Sequence, residues 1–263
     1  MGRDETSPPH IAQGLVVATR HSGSVGAMRT HSDGGPVIPR HDGNFPGADW
    51  ARRLFQTYDV KDVLDVGANV GGWLATWFAS GARRAHAIEP VPEVFEVLHQ
   101  AYKDDDRVTL HRRGVSDRPA QIKDQNIYNC WSLLPQGSTK LDAALEFKDK
   151  PPFDVDLVTI DDLLSETGFA PDFIKIDVDG YDVRALRGGR SYVSRRLPVM
   201  MIEVSGLPKM LGDDCESMIR DLYDMDYVLT NINEGQRYDS AADFMKIFPW
   251  HTSWDAICEP RSA

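Results

Sequence analysis

Cysteine is scarce in this chain of 263 residues: Cys130, Cys215 and Cys258 stand apart, with no C-x-x-C pair. That spacing argues against a disulfide framework and a structural zinc site, and points to buried free thiols in a reducing compartment. Long apolar runs are missing too. The longest near the start, Leu15 to Ala18, is too short for a signal-peptide core or a membrane-spanning helix. The expectation is a cytoplasmic protein with no membrane partner. Positive charge is in deficit, with 29 Lys and Arg against 40 Asp and Glu, a formal net charge of -11. Such a balance disfavours polyanions, so no nucleic-acid partner is expected. No internal repeat is visible, and the oligomeric state stays open, a homodimer included.

One further absence is local. A dinucleotide fingerprint reads G-x-G-x-x-G, and its second glycine lets a pyrophosphate touch the backbone. Residues 63–72 read Val-Leu-Asp-Val-Gly-Ala-Asn-Val-Gly-Gly, so the second glycine is replaced by Asn69. Asp65, just before the turn, is also a poor neighbour for a phosphate. What is present suits another ligand. Val60, Val63, Leu64 and Val66 read as a buried strand, Gly67 opens a turn, and a helix follows from near Gly71. Glu89 ends the next apolar run, where a carboxylate can hold both ribose hydroxyls. Asp65 could receive an ammonium group. A ribose, an ammonium and no phosphate together describe S-adenosylmethionine; the alternative is a tight structural turn beside a solvated Glu89.

The first forty-odd residues lack periodicity and carry Pro8, Pro9 and four of the eight histidines (His10, His21, His31 and His41). Residues 1–45 are therefore expected to form a flexible arm, with a lid as a minority option, and 46–263 one domain. Within 46–263, strands and helices alternate, which predicts an α/β fold built on a mostly parallel sheet. Strands are expected at Val60–Val66, Ala85–Ile88, Val108–Leu110, Phe173–Asp177, Val199–Val204, Tyr227–Asn231 and Trp254–Cys258. Residues 118–154 read as irregular, with a short hairpin around Ile127 to Leu134, and Val155 to Ile160 as an extra strand.

Three segments carry a family resemblance: the D-V-G-A-N-x-G turn, the Glu89-Pro90 pair, and Asp172 to Asp182 with Leu186-Arg187-Gly188 after it. With Val158 to Leu163 upstream, they resemble the FkbM family of methyltransferases over roughly Val60 to Glu203. Asp179 and Asp182 stand where the family more often has Glu. The resemblance implies a class I methyltransferase fold, a Rossmann-like three-layer sandwich with a seven-stranded, mostly parallel sheet whose last strand is antiparallel. It implies S-adenosylmethionine as donor, lined by Asp65, Gly67, Ala68, Asn69 and Gly71, with Glu89 on the ribose. The Gly114-Val115-Ser116-Asp117 turn would lie against the adenine. It also implies a small-molecule hydroxyl acceptor, such as a sugar or polyketide.

A hydroxyl acceptor needs a base or a metal ion to lower its pKa. Ligands of open α/β sheets bind beyond the carboxyl ends of the strands. Asp177, at such an end, is the first choice as base or acceptor-orienting group; its alternative role is a helix-capping Asp before Gly180. Glu203 lies within an apolar run and needs a partner. Lys175 is the nearest candidate, so either residue is catalytic or the two form a structural pair. No metal is the leading reading; Mg2+ held by Asp177, Asp179 and Glu203 is the alternative. Aromatic residues above the sheet read first as core, with lining of the acceptor pocket as the alternative: Tyr128 and Trp131 beside Ser132, and Phe248, Trp250 and Trp254 with His251, itself first a surface residue. Transfer to nitrogen or carbon, or a silent cofactor-binding scaffold, are the competing readings.

Overall fold

The alternation read from the sequence becomes a twisted sheet flanked by helices. The computed structural model describes residues 48–125, 152–206, 208–209, 212–232, 235–248 and 253–261. Along the chain run α1 (Ala48–Thr57), β1 (Asp62–Val66), α2 (Gly72–Ser80), β2 (Arg84–Ile88), α3 (Pro92–Tyr102), β3 (Val108–His111), β4 (Gly114–Val115) and β5 (Ala120–Gln125). Then follow β6 (Phe153–Val158), α4 (Ile160–Thr167), β7 (Phe173–Ile176), α5 (Asp182–Gly188), α6 (Arg190–Arg196) and β8 (Val199–Ser205). The last are α7 (Cys215–Asp224), β9 (Tyr227–Asn231), β10 (Arg237–Tyr238), α8 (Ala241–Ile247) and β11 (Ser253–Pro260).

The main sheet has the order β10-β9-β11-β8-β7-β1-β2-β3. Strands β1, β2, β3, β7 and β8 are mutually parallel, and β11 runs antiparallel between β8 and β9. The chain leaves β1 for β2 on one side and returns to β7 on the other. This reversal opens a crevice at the carboxyl ends of β1 and β7, the usual ligand position in such sheets.

Helix ends follow local chemistry. The α2 helix starts after Gly71 and stops at Gly81, both left-handed. Thr159 caps α4 by accepting from the Asp162 amide, and Asp214 caps α7 by accepting from Glu216. Strand periodicity then sorts the side chains into two layers. Leu64, Val66, Ile174, Ile176, Met200, Ile202 and Val204 pack against α4 to α7. Val63, Phe173, Val199 and Met201 face the other way, onto Ala51 and Phe55 of α1 and Leu74 and Trp77 of α2. Asp65 and Lys175 continue this second set, so their alternation carries them to the layer that contains Trp77.

Two expectations are corrected. The sheet has eight strands rather than seven, because the two-residue β10 is too short to show an alternation. Val155 to Ile160 does not join it: β6 pairs with β4 and β5 in a separate three-stranded sheet. Residues 120–125 read as irregular because Ala-Gln-Ile-Lys-Asp-Gln lacks an apolar face, yet the backbone pairs them with β6. The arm at 1–45, the 127–134 hairpin, and Tyr128, Cys130, Trp131, Ser132, Trp250 and His251 lie outside the described residues.

Candidate active site

The turn after β1 is built by its own backbone. The Gly67 and Ala68 amides donate to the Ile88 carbonyl at 3.0 and 2.9 Å, tying the turn to the end of β2. Gly67 and Gly71 have φ of 79° and 88°, a region that favours glycine. A Cβ on Gly67 would overlap the Asp177 carbonyl, and one on Gly71 the Tyr102 ring. These glycines therefore admit protein neighbours. Asn69 is left-handed as well, with φ 53°.

Glu89 fastens this turn. Its Oε2 accepts from the Asn69 amide at 3.1 Å and its Oε1 from the Val91 amide at 2.9 Å. The residue is 6% exposed. Burial pushes its carboxyl up to about 7, against the pull of the two amides. It is not the solvated residue of the structural alternative.

Behind the turn, Asp65 is 0% exposed. Trp77 Nε1 donates to its Oδ2 at 3.0 Å, and Lys175 Nζ lies 3.4 Å from its Oδ1. The Lys175 ammonium also donates to the Gly67 carbonyl at 2.9 Å and sits 3.2 Å from Asp177 Oδ2. Burial disfavours this ammonium, but the Asp177 and Asp65 carboxylates outweigh it and hold its pKa above the usual lysine range. The protein's own cation thus stands where Asp65 was expected to meet a ligand's ammonium.

The predicted Lys175–Glu203 pair is not formed. Lys175 is in register with Asp65 on one side and Met201 on the other, and Glu203 lies two residues further along β8. Glu203 Oε1 accepts from the Ser253 hydroxyl on β11, and Oε2 is buried without a hydrogen bond among the described residues. Burial, then the nearby Asp177, Asp182 and Asp179, hold the Glu203 carboxyl well above the ordinary range.

Nor does Asp177 act as the cap before Gly180. Asp182 takes that role, accepting from the Val178 and Gly180 amides at 3.0 Å each. Asp182 is fully buried, and desolvation pushes its carboxyl up to about 7. Asp179, at φ 49°, is pushed up to about 7 by burial and by the carboxylates of Asp177 and Asp182. The Asp177 side chain stays 33% exposed, with one oxygen on Lys175 and the other without a partner among the described residues.

The expected adenine turn lies next to Glu89-Pro90. A Cβ on Gly114 would touch the Pro90 ring, and the Glu89 amide donates to the His111 carbonyl at 3.1 Å. Val115 and Ser116 are buried, and Ser116 Oγ donates to Asp117 Oδ1 at 3.2 Å. Gly188 lets α5 approach the Ser116 carbonyl, which a Cβ there would strike.

The structure therefore gathers Asp65, Gly67, Ala68, Asn69, Gly71, Glu89, Lys175 and Asp177 around one turn, with 114–117 beside it and Glu203 one strand further. Trp77 and Ser253 were not among the expected site residues, and Asp182 and Gly188 were named within the family resemblance, with no site role. Trp77 reads as one more apolar residue of a helix face. Phe244, Phe248 and Trp254 pack on one another at 5.0–6.3 Å between ring centres, so this aromatic group is core and not pocket wall. Among the described residues no group of three or more His, Cys, Asp or Glu could hold a metal ion, so the Mg2+ alternative lacks geometric support. Two surface clefts, one lined by Arg113, Asp156 and Glu166 and one by Tyr238 and Asp243, contain none of the predicted site residues. Among the described residues no helix is long and apolar enough to cross a membrane.

Comparison with known proteins gives the family. Residues 65–229 match the model of the methyltransferase FkbM domain. Curated proteins give no match. Among solved structures, the methyltransferase FkbM of Methylobacillus flagellatus KT is 20% identical, with a TM-score of 0.49 over 76% of this chain and 44% of that one. A Podospora anserina methyltransferase with SAH bound is 13% identical, with a TM-score of 0.34 over 59% and 50% of the two chains. An O-methyltransferase from Bacillus cereus in complex with SAH is 13% identical, with a TM-score of 0.37 over 84% of each chain. The chain spans half or less of the length of the first two. With the FkbM model covering well over half of its residues, from Asp65 at the end of β1 to Leu229 on β9, the chain belongs to the FkbM methyltransferase family.

Proposed function

We propose that this methyltransferase uses S-adenosylmethionine and methylates a hydroxyl oxygen of a small molecule, such as a sugar or polyketide. The observation that carries the reading is the glycine turn at the β1/β7 crevice, fastened by Glu89 and facing an open carboxylate, Asp177. The residues present fit that cofactor. Glu89 keeps lone pairs for a ribose diol after binding two amides. The crevice is rich in acceptor oxygens, with Glu203 Oε2 buried and unpaired, which suits a ligand carrying positive charge. A pyrophosphate would meet Asn69 and several carboxylates.

When bound, S-adenosylmethionine supplies an electrophilic methyl carbon. The chain's own task is to hold an acceptor in line and accept its proton. Near-attack placement can contribute up to roughly 7–11 kcal/mol in ideal cases. Asp177, with one oxygen held by Lys175, would take the acceptor's hydroxyl proton on its other oxygen. A positioned base contributes about 10²–10⁴-fold. Glu203, whose carboxyl is held well above the ordinary range by burial and by the carboxylates of Asp177, Asp182 and Asp179, is the poorer candidate for that base.

The test uses methyl-labelled S-adenosylmethionine with a panel of sugars and polyketides and their amino analogues. Label on oxygen, with turnover reduced at least ~100-fold in Asp177→Asn, is expected. Label on nitrogen or carbon, or an Asp177→Asn enzyme as fast as wild type, contradicts the reading.

A further inference from the structure

We infer that Lys175 is the positioning residue of this site: its buried ammonium locks the cofactor turn to the acceptor carboxylate. The inference deepens the reading above and rests on it for its meaning. Four observations carry it. Lys175 is among the largest fully buried side chains, and its ammonium reaches three groups on three segments. These are the carbonyl of Gly67 on the turn, Asp65 on β1 and Asp177 at the end of β7. Gly67 lies so close to the Asp177 backbone that a Cβ would not fit between them, so turn and strand end are already in contact where the ammonium joins them. The Asp177 amide donates to the Val66 carbonyl at 3.1 Å, which keeps the strand end in register with β1.

Stability alone does not account for this arrangement. Apolar side chains of similar volume serve a core position as well as or better than a buried ion pair. The layer around Lys175 is otherwise apolar, with Phe173, Met201 and Trp77. What the ammonium adds is geometry. It fixes the orientation of the Gly67 carbonyl, and hence of the peptide leading into Ala68 and Asn69. It holds one oxygen of Asp177 and leaves the other for the acceptor. It also donates to the Gly67 carbonyl and stands 3.4 Å from Asp65 Oδ1, the place a ligand's ammonium would otherwise take. Lys175 touches neither reacting atom and, at 1% side-chain exposure, cannot be reached by the acceptor.

The test removes the ion pair while keeping the volume. In Lys175→Met, Asp65 is left as a buried carboxylate with no counter-charge, and the melting temperature falls. In Asp65→Asn/Lys175→Met that charge is gone, and the melting temperature returns towards wild type. Hydrogen exchange, measured without ligand, is read at the amides of Gly67, Ala68 and Asn69. We expect at least tenfold faster exchange there in the double variant than in Asp65→Asn alone. Calorimetry should show at least tenfold weaker S-adenosylmethionine binding by the same comparison. If the double variant does not fold, Lys175→Arg, which keeps the charge and changes its geometry, is read in the same way. Exchange at wild-type rates in a stable variant overturns the inference. A wild-type protein that ignores S-adenosylmethionine overturns the proposed function instead, while the exchange result still decides the role of Lys175.

Discussion

Asp65 cannot reach water, so whatever stabilises its charge must come from the protein. An indole N–H and an ammonium supply it. This makes a sharp prediction for Trp77, whose ring stacks on Trp73 at 4.8 Å and on Phe55 at 5.7 Å. Trp77→Phe keeps a six-membered ring in place but removes the donor and the rest of the indole, leaving a buried acceptor unpaired beside a small cavity. Urea denaturation should show a loss of about 1–3 kcal/mol. A loss under ~0.5 kcal/mol, the range of an ordinary surface change, would show that Asp65 does not depend on that bond. Glu89 and the glycines were legible in the sequence because the turn and the following strand end are each marked by residue type. The Trp77–Asp65 bond was not, because a side chain that is apolar for most of its surface hides its one polar atom in a helical stripe. Likewise, nothing in the order of residues says that Lys175 turns towards β1 and not towards Glu203; the register decides it.

At the level of elements, β2 and β3 are joined by more than their ladder. His111 Nε2 and His86 Nδ1 lie 3.1 Å apart, and His86 stacks on Phe169 at 3.9 Å. A hydrogen bond between two ring nitrogens requires at least one ring to be neutral. Burial, then the charges of His111 and Arg84, push His86 down to about 4. A lowered histidine pKa means the folded state prefers the neutral ring. Its contribution is fully present above the unfolded value of about 6.5 and is lost as pH falls through about 4. The melting temperature of wild type should therefore drop more steeply between pH 6.5 and 4 than that of His86→Phe; an equal or shallower drop contradicts the assignment. Most long elements were visible as strand or helix periods, and the break between α5 and α6 at Gly188-Gly189 showed as a glycine pair. The two-residue strands β4 and β10 and the polar β5 escaped, since their pairing is set by distant backbone and not by an apolar face.

Across the whole molecule, the order of strands places the site. Because β1 has β2 on one side and β7 on the other, residues more than a hundred positions apart, Gly67 and Lys175, come within hydrogen-bond distance. The α/β class was legible, because the alternation of elements limits the topologies open to the chain; the antiparallel last strand came from the family resemblance. The second sheet was not, since it is assembled from a two-residue strand, a polar strand and β6. The acidic balance of the sequence becomes local here: Asp65 and Asp177 flank the Lys175 ammonium, and Asp177, Asp179 and Asp182 crowd Glu203. On the proposed reading, a site so rich in carboxyl groups takes a cationic cofactor and not a phosphate-bearing one. Calorimetric titration of the wild-type protein with S-adenosylmethionine and with NAD, with Glu89→Ala beside it, tests this most directly. The account predicts a saturable S-adenosylmethionine isotherm, at least tenfold weaker (about 1.4 kcal/mol) in Glu89→Ala, and no heat of binding with NAD. Saturable binding of NAD with none of S-adenosylmethionine would contradict it.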